Sequence, residues 1–318
     1  MRTDMLSRLL ALLLCWLTTA AAQAADQTDA LREGGWPLSN AEYVGADTCK
    51  NCHQAIKAHY AHTKHAIAFE RNPDSPLEER NCEACHGPGS AHRDNPSEHD
   101  SIVAFGQESE LPKAVVNGQC LQCHDGGERT HWDSSIHDAN ELMCSDCHNP
   151  MARFSRKGLQ RFSSVNATCM ACHKTQQAEF RKRSHMPLLE GKIACVDCHN
   201  PHGSSTDPLL KADNVNQVCY TCHQEKRGPF VFEHAPVREN CSNCHKPHGS
   251  NHEFLLKVAR PFLCQSCHSH SRHINDMLPA EATPAGPFTD ARVAGRSCQN
   301  CHAQIHGSNH PAGVRMHR

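Results

Sequence analysis

Cysteine and histidine recur along this chain in one fixed arrangement, Cys-x-x-Cys-His, which occurs ten times. Two thiols three positions apart can form thioether bonds to the two vinyl groups on one haem edge, and the adjacent imidazole can then ligate the iron. Twenty of the 21 cysteines belong to these motifs. A disulfide framework or a zinc ribbon would not require a histidine after every second cysteine. The motifs therefore predict ten covalently bound c-type haems.

The predicted haem-binding residues are the two cysteines and the histidine of each motif. The attachment cysteines are Cys49, Cys52, Cys82, Cys85, Cys120, Cys123, Cys144, Cys147, Cys169, Cys172, Cys195, Cys198, Cys219, Cys222, Cys241, Cys244, Cys264, Cys267, Cys298 and Cys301. The proximal iron ligands are His53, His86, His124, His148, His173, His199, His223, His245, His268 and His302.

A longer repeat groups the ten motifs into five haem-pair units, each with a first and a second motif. Val-Asn stands before the first motif of three units, at Asn117, Asn166 and Asn216, and Pro-His-Gly follows the second motif of two. The units span about residues 45–92, 116–151, 165–203, 215–249 and 260–307. We number them 1 to 5.

Histidines at repeated positions are the candidate sixth, or distal, iron ligands. A mid-unit histidine lies between the two motifs of each unit: His65, His137, His185, His234 and His273. A trailing histidine follows the second motif of four units: His92, His202, His248 and His306. His62 and His270 lie close enough to His65 and His273 to compete with them. The histidines that fit neither repeated position are expected to be ordinary solvated side chains. They are His59, His62, His99, His131, His252, His310 and His317.

Met151 departs from this pattern, because it occupies in unit 2 the trailing position that a histidine holds elsewhere. A thioether ligand would make one haem His/Met and raise its reduction potential. Alternatively, Met151 is an apolar side chain that shields a haem whose tenth distal ligand is His131, His252 or His310. The sequence leaves both interpretations open.

Composition limits how such a chain can fold. The 318 residues include only 16 aromatic ones, and the mean hydropathy is −0.62, so the chain is poor in the side chains that fill conventional cores. The net charge of −2 excludes the strongly basic footprint of a nucleic-acid-binding protein. The gaps between motifs leave room for a short helix and a loop, for example over 51–61 and 176–183. We therefore expect a multihaem cytochrome c fold: mostly loops with short α-helices, a haem-packed core, an elongated shape and little or no β-structure.

The first 24 residues are typical of a secretory signal peptide. Arg2 and Arg8 precede the apolar run Leu9–Leu17, and an Ala-x-Ala sequence ends at Ala24. The alternative is an N-terminal membrane anchor, for which the apolar run is short. Residues 25–318 are expected to form an exported, soluble decahaem cytochrome c domain.

Further local motifs make the chain similar to the periplasmic decahaem cytochromes of the MtrA/DmsE/MtoA family. They are Cys82-x-x-Cys85-His86-Gly87-Pro88, Glu225-Lys-Arg-Gly-Pro229 followed by Glu233-His234-Ala235-Pro236, the Pro-His-Gly sequences, and Gly295-Arg-Ser-Cys298 through His306-Gly-Ser-Asn-His310-Pro. The resemblance implies a rod inserted through an outer-membrane porin-like β-barrel. It also implies electron exchange with a periplasmic or inner-membrane electron-carrier cytochrome and with an extracellular multihaem cytochrome or the exterior itself. Family members are typically all bis-His, so Met151 departs from the family pattern too.

Two functions remain open at this point. The first is an electron conduit with no catalytic residues, which serves oxidation of extracellular Fe(II) or reduction of metal oxides. The alternative is a multihaem reductase of a small nitrogen or sulfur oxyanion. A reductase needs an open iron position, whereas the repeat offers a sixth ligand to every haem and no motif is Cys-x-x-Cys-Lys. The conduit is therefore favoured.

Overall fold

The computed structural model describes residues 40–106, 109–268 and 297–317. The predicted signal peptide and the candidate ligand His273, with its competitor His270, lie outside the described residues.

Short helices account for most of the regular structure in the described residues. The α-helices are α1 Ala46–Cys52, α2 Gln54–Tyr60, α3 Lys64–Ala66, α4 Glu83–His86, α5 Ser90–Asp94, α6 Lys113–His124, α7 Ile136–Ala139, α8 Cys144–Cys147, α9 Val165–Cys172, α10 Lys174–Glu179, α11 Val215–Tyr220, α12 Ala235–Glu239 and α13 Phe262–Gln265. A π-helical turn covers Ile67–Arg71, and single 3₁₀ turns cover Glu78–Arg80, His99–Ser101, Gly127–Arg129, Cys195–Asp197, Gln224–Lys226, Cys241–Asn243, Glu253–Leu255, Cys298–Asn300 and Gly313–Arg315. The prediction of short helices joined by loops is confirmed.

The two helices expected from sequence are present but shorter than expected. The segment 51–61 is divided at His53, where α1 ends and α2 begins. The segment 176–183 is represented by α10, which ends at Glu179. His53, and His173 directly before α10, adopt non-helical backbone angles, and each separates two short helices.

In the described part of the chain, β-structure is limited to five isolated antiparallel bridges: His148–Gln160, Ser184–Ser250, His199–Leu210, Phe232–Ser308 and His245–Leu256. Three of these bridges, at His148, His199 and His245, close equivalent loops that follow the second motifs of units 2, 3 and 4. The expectation of little or no β-structure is therefore confirmed for the described residues.

Apolar burial occurs in small, separate clusters. One cluster consists of Val103, Leu111, Val116 and Met143, with Phe105 packed against it. Another is built on Met170, Phe180 and Leu188, with Met186, Ile193 and Cys195 at its edge. Clusters of this size cannot organise a chain this long, because buried apolar area is the main favourable term in folding. The faces of bound haems would supply the missing apolar area.

The asparagine of the Val-Asn repeat joins the two motifs of a unit. In Asn117, Asn166 and Asn216, Oδ1 accepts a hydrogen bond from the backbone N–H of the first cysteine in the second motif, at 2.9, 3.0 and 2.7 Å. The Nδ2 group of each donates to the carbonyl of the residue two or four positions before that cysteine, at 3.1, 3.3 and 2.9 Å. The repeat therefore encodes a fixed distance between paired haem sites.

The chain divides into two compact halves. The first half comprises the described parts of Met1–Thr130 together with Ile136–Ser164, and contains unit 1 and all of unit 2 except residues 131–135. The second comprises His131–Ser135 and the described parts of Val165–Arg318, and contains units 3 to 5. No helix in the described residues is long and apolar enough to cross a membrane.

Candidate haem sites

The first cysteines of the two motifs in a unit lie side by side. In every unit these two thiols interact with each other: Cys49–Cys82, Cys120–Cys144, Cys169–Cys195, Cys219–Cys241 and Cys264–Cys298. None of the twenty motif cysteines, all of which are described, forms a disulfide. Since each cysteine would hold one edge of a haem, the pairing brings the two haems of a unit together.

The second cysteines connect neighbouring units. Burial, followed by the charge of Cys123, raises the pKa of Cys85 to about 11. Two further pairs show the same relation. Burial raises the pKa of Cys198 and of Cys244, and the charges of Cys222 and Cys267, respectively, raise it further. Together with the contacts within units, these pairs place the motifs of each half in space in the order in which they occur in the sequence.

The proximal histidine of every second motif is oriented by a backbone carbonyl. Nδ1 donates to the carbonyl oxygen of a residue 9 to 17 positions later, at 2.6 to 2.8 Å: His86 to Val103, His148 to Gly158, His199 to Pro208, His245 to Phe254 and His302 to Arg315. A proton on Nδ1 leaves the lone pair of Nε2 available for a metal. These five imidazoles are therefore held in the form that ligates iron.

Within the described residues, proximal and distal imidazoles lie in pairs at the separation that one iron would require between them. A metal–nitrogen bond of about 2.0 Å and roughly 1.1 Å from that nitrogen to the ring centroid put the two rings of a bis-imidazole iron about 6.2 Å apart. The observed centroid distances are 6.0 to 6.3 Å for His53–His92, His65–His124, His199–His248, His234–His268 and His245–His306. Each pair consists of one proximal histidine and one predicted distal histidine, so these residues fit haem iron.

The ring pairs also show which distal histidine faces which motif. The mid-unit histidines His65 and His234 face the first motif of the following unit. The trailing histidines His248 and His306 face the second motif of the preceding unit. His92 belongs to unit 1, which has no preceding unit, and it faces the first motif of its own unit. Neighbouring units thus exchange ligands, a relation that sequence reasoning had left undetermined.

Burial keeps the paired distal imidazoles neutral. It is the largest cause that lowers the pKa of each one: His65, His92, His234, His248 and His306. The proximal partner adds to the lowering in every pair, because two imidazolium charges facing each other would repel. Neutral imidazole is the form that binds a metal ion.

Further local contacts are seen for four more of the predicted ligands. Nδ1 of His185 donates to the Lys182 carbonyl at 2.7 Å, while Nε2 donates to a Glu190 carboxylate oxygen at 3.0 Å, and this bond raises the pKa of His185. The ring of His202 lies 6.5 Å from that of Trp132. His137 lies in α7. Met151 is half-buried and lines a pocket together with Cys49, Cys82 and Tyr60.

One histidine was expected to be solvated but contacts a proximal ligand. The rings of His317 and His302 lie 4.4 Å apart, edge to face, which is too close for an iron between them. His317 lies beyond the last repeated position, so the repeat contained no signal for this contact.

Comparisons with known proteins agree with this arrangement. A family described as the doubled CXXCH motif matches residues 137–178, 185–228 and 234–273. Each match begins at a mid-unit histidine and contains the second motif of one unit and the first motif of the next. The last match thus includes both His234 and the proximal His268 that faces it.

Two relatives extend the comparison. The c-type cytochrome protein NrfB of Escherichia coli O6:H1 is 29% identical over 125 residues, which cover 34% of this chain and 65% of NrfB. The multiheme cytochrome MtrA of Shewanella baltica (strain OS185) is 39% identical over 299 residues, 94% of this chain and 89% of MtrA. A match of this extent, on a chain whose cysteines and histidines are arranged for haem c, shows that it belongs to the MtrA family of multihaem c-type cytochromes, which are electron-transfer proteins and not enzymes.

Proposed function

We propose that this cytochrome conducts electrons through ten c-type haems across the periplasm and the outer membrane, for oxidation of extracellular Fe(II) or reduction of metal oxides. The observation that carries the proposal is the set of five imidazole pairs at 6.0 to 6.3 Å. An iron with both axial positions filled by the protein can exchange electrons but has no position for a substrate. Such sites favour a conduit over a reductase of nitrogen or sulfur oxyanions.

Haem supplies an iron that changes between ferric and ferrous states, and the chain determines where each iron sits. The cysteine pairs hold neighbouring haem edges together in sequence order. The backbone carbonyls at the second motifs hold the proximal imidazoles in one orientation, so little reorganisation accompanies each electron transfer. Short spacing and rigid ligands are what an electron relay needs.

The proposed location requires a partner that encloses the cytochrome within the membrane. A polar chain with exposed backbone groups and haem propionates cannot pass through lipid on its own. A porin-like β-barrel with a polar lumen would solve this problem. The proposed electron donors and acceptors are a periplasmic or inner-membrane cytochrome on one side, and an extracellular multihaem cytochrome or the mineral itself on the other. A signal peptide cleaved near Ala24 would deliver the chain to the periplasm.

Deletion of the gene in its host tests this function. We expect the deletion to abolish oxidation or reduction of an iron source too large to enter the cell, and the intact gene to restore it. The cytochrome should fractionate with outer-membrane proteins and should cross-link to a β-barrel. Unchanged extracellular iron chemistry, together with a lost ability to reduce nitrite or sulfite, would overturn the conduit and support the reductase.

A further inference from the structure

We propose that the thioether of Met151 is the sixth ligand of the haem attached at Cys82 and Cys85, opposite His86. The proposal rests on the ten-haem conduit proposed above and specifies one of its sites. It makes this haem the His/Met member of an otherwise bis-His set.

The exchange of ligands between units assigns Met151 to this haem. His306, the trailing ligand of unit 5, faces His245 in the second motif of unit 4, with 6.3 Å between ring centroids. His248 of unit 4 faces His199 of unit 3 in the same way, at 6.1 Å. The same relation places the trailing residue of unit 2, Met151, opposite the second motif of unit 1, whose proximal histidine is His86.

A second contact repeats between the same pairs of units. In units 4 and 5, the carbonyl of Ile305, the residue just before the trailing ligand, lies beside the ring of mid-unit His234. In units 1 and 2, the carbonyl of Pro150, the residue just before Met151, lies in the same way beside the ring of mid-unit His65. This contact between units 1 and 2 is therefore the same as the contact between units 4 and 5.

The loop that carries Met151 has the backbone of the loops that carry trailing histidines. The N–H of Asn149 donates to the Leu159 carbonyl at 2.6 Å, and the equivalent bonds in units 3 and 4 are Asn200–Leu209 at 2.8 Å and Lys246–Leu255 at 2.7 Å. The three leucines share a left-handed backbone, with φ of 46°, 60° and 60°. Oδ1 of Asn149 accepts from the Met151 N–H at 3.0 Å, as Oδ1 of Asn200 accepts from His202 at 3.2 Å. The change to methionine thus alters the side chain without moving its attachment point.

The surroundings of His86 leave this position to Met151. Met151 lines a pocket that is also lined by Cys82, the first cysteine of the motif that contains His86. The other motif at this pocket already has an imidazole pair, His53 and His92. The ring against His86 is that of Phe105, edge-on at 5.1 Å, which cannot ligate iron. The two imidazoles that act on His86 electrostatically, His53 and His92, already face each other. The alternatives His131, His252 and His310 lie outside the repeated trailing position.

Methionine ligation has a direct consequence for the redox properties of this haem. A thioether stabilises ferrous iron relative to an imidazole and so raises the reduction potential. The second haem of the chain is therefore expected to be reduced before the other nine. It lies beside the first haem, because Cys49 and Cys82 are in contact, and it would hold an electron near the N-terminal end of the series.

The test uses the complete holoprotein, with the haem number of each sample counted by mass spectrometry. The parent is expected to show a near-infrared sulfur-to-iron charge-transfer band that corresponds to one haem in ten. Met151→His should remove the band, retain ten low-spin haems and lower the highest reduction potential. Met151→Leu should also remove the band and leave one haem high-spin. Met143→Leu, which replaces another buried methionine of the same half, should leave the band unchanged.

Two results would overturn the ligand assignment. One is a parent with ten low-spin haems and no such band, and the other is a band that survives in Met151→His. A parent with fewer than ten haems would instead count against the conduit, so the haem count and the band report on the two proposals separately.

Discussion

The loops that follow the second motifs of units 2 and 4 have the same backbone conformation but carry different side chains. Each is closed by a hydrogen bond to a left-handed leucine, Leu159 in unit 2 and Leu255 in unit 4. Unit 4 then presents His248 and Gly249, whereas unit 2 presents Met151 and Ala152. The comparison shows that the repeat preserves where a ligand is placed, while the ligand itself and its close packing can vary.

The glycine after the trailing histidine should be the more sensitive residue. A Cβ on Gly249 would overlap the backbone carbonyl of Glu179, and one on Gly203 would overlap that of His131. Gly249→Ala is therefore expected to destabilise the holoprotein by about 3–5 kcal/mol, since two backbone segments must separate. Denaturant unfolding followed by haem absorbance measures this loss.

Unit 2 supplies the matched control. Ala152 already occupies the equivalent position and is buried. Ala152→Gly should cost only about 1 kcal/mol, mostly through greater freedom of the unfolded chain. Equal losses for the two variants would show that the loops do not differ in packing as described.

The asparagine that orders the trailing residue should have an intermediate effect. Asn200 accepts from the N–H of His202 and donates to the Gly203 carbonyl at 2.7 Å. Asn200→Ala is expected to cost about 1–2 kcal/mol, measured by the same unfolding experiment. Asn200→Asp keeps the acceptor and loses the donor, so its loss should be smaller. An equal or larger loss for the aspartate variant would show that the bond accepted from His202 contributes nothing to stability, against this prediction.

Transfer of the methionine to unit 4 should change the spectrum more than the stability. In His248→Met the haem at Cys195 and Cys198 should gain a thioether ligand, because His248 faces His199. We expect the near-infrared charge-transfer band to double in intensity and a second haem to titrate at raised potential.

The control for this transfer is His252→Met, four residues further along and outside the trailing position. It should add no band. A new band in His252→Met, or none in His248→Met, would contradict the assignment of ligands by position in the repeat.

The sequence predicted the haem sites more completely than their partners. Ten identical motifs and a five-fold repeat were enough to predict short helices, loops and candidate ligands. The partners of most paired ligands could not be predicted because they lie in a different unit from the ligand: His248 and His199 are joined by contacts in space and not by any local pattern. The Val-Asn repeat was visible, but its purpose became clear only when Asn216 was seen to bond the N–H of Cys241.

Single residues outside the repeat could not be predicted at all. The packing of His317 on His302 brings together two rings from a terminal segment with no counterpart in other units. In unit 1, the buried carboxylate of Glu83 accepts from the N–H groups of Val44, Gly45 and Gly89, at 2.8 to 2.9 Å. It connects the start of unit 1 to its second motif as asparagine does in units 2 to 4. A glutamate inside a haem motif gave no sequence signal of that role.

Quantitative EPR of the fully oxidised holoprotein tests most directly whether the polypeptide fills both axial positions of every iron. We expect the integrated low-spin signal to correspond to ten haems per chain and not to change when nitrite or sulfite is added. A high-spin iron whose signal shifts on addition of either anion would contradict this expectation.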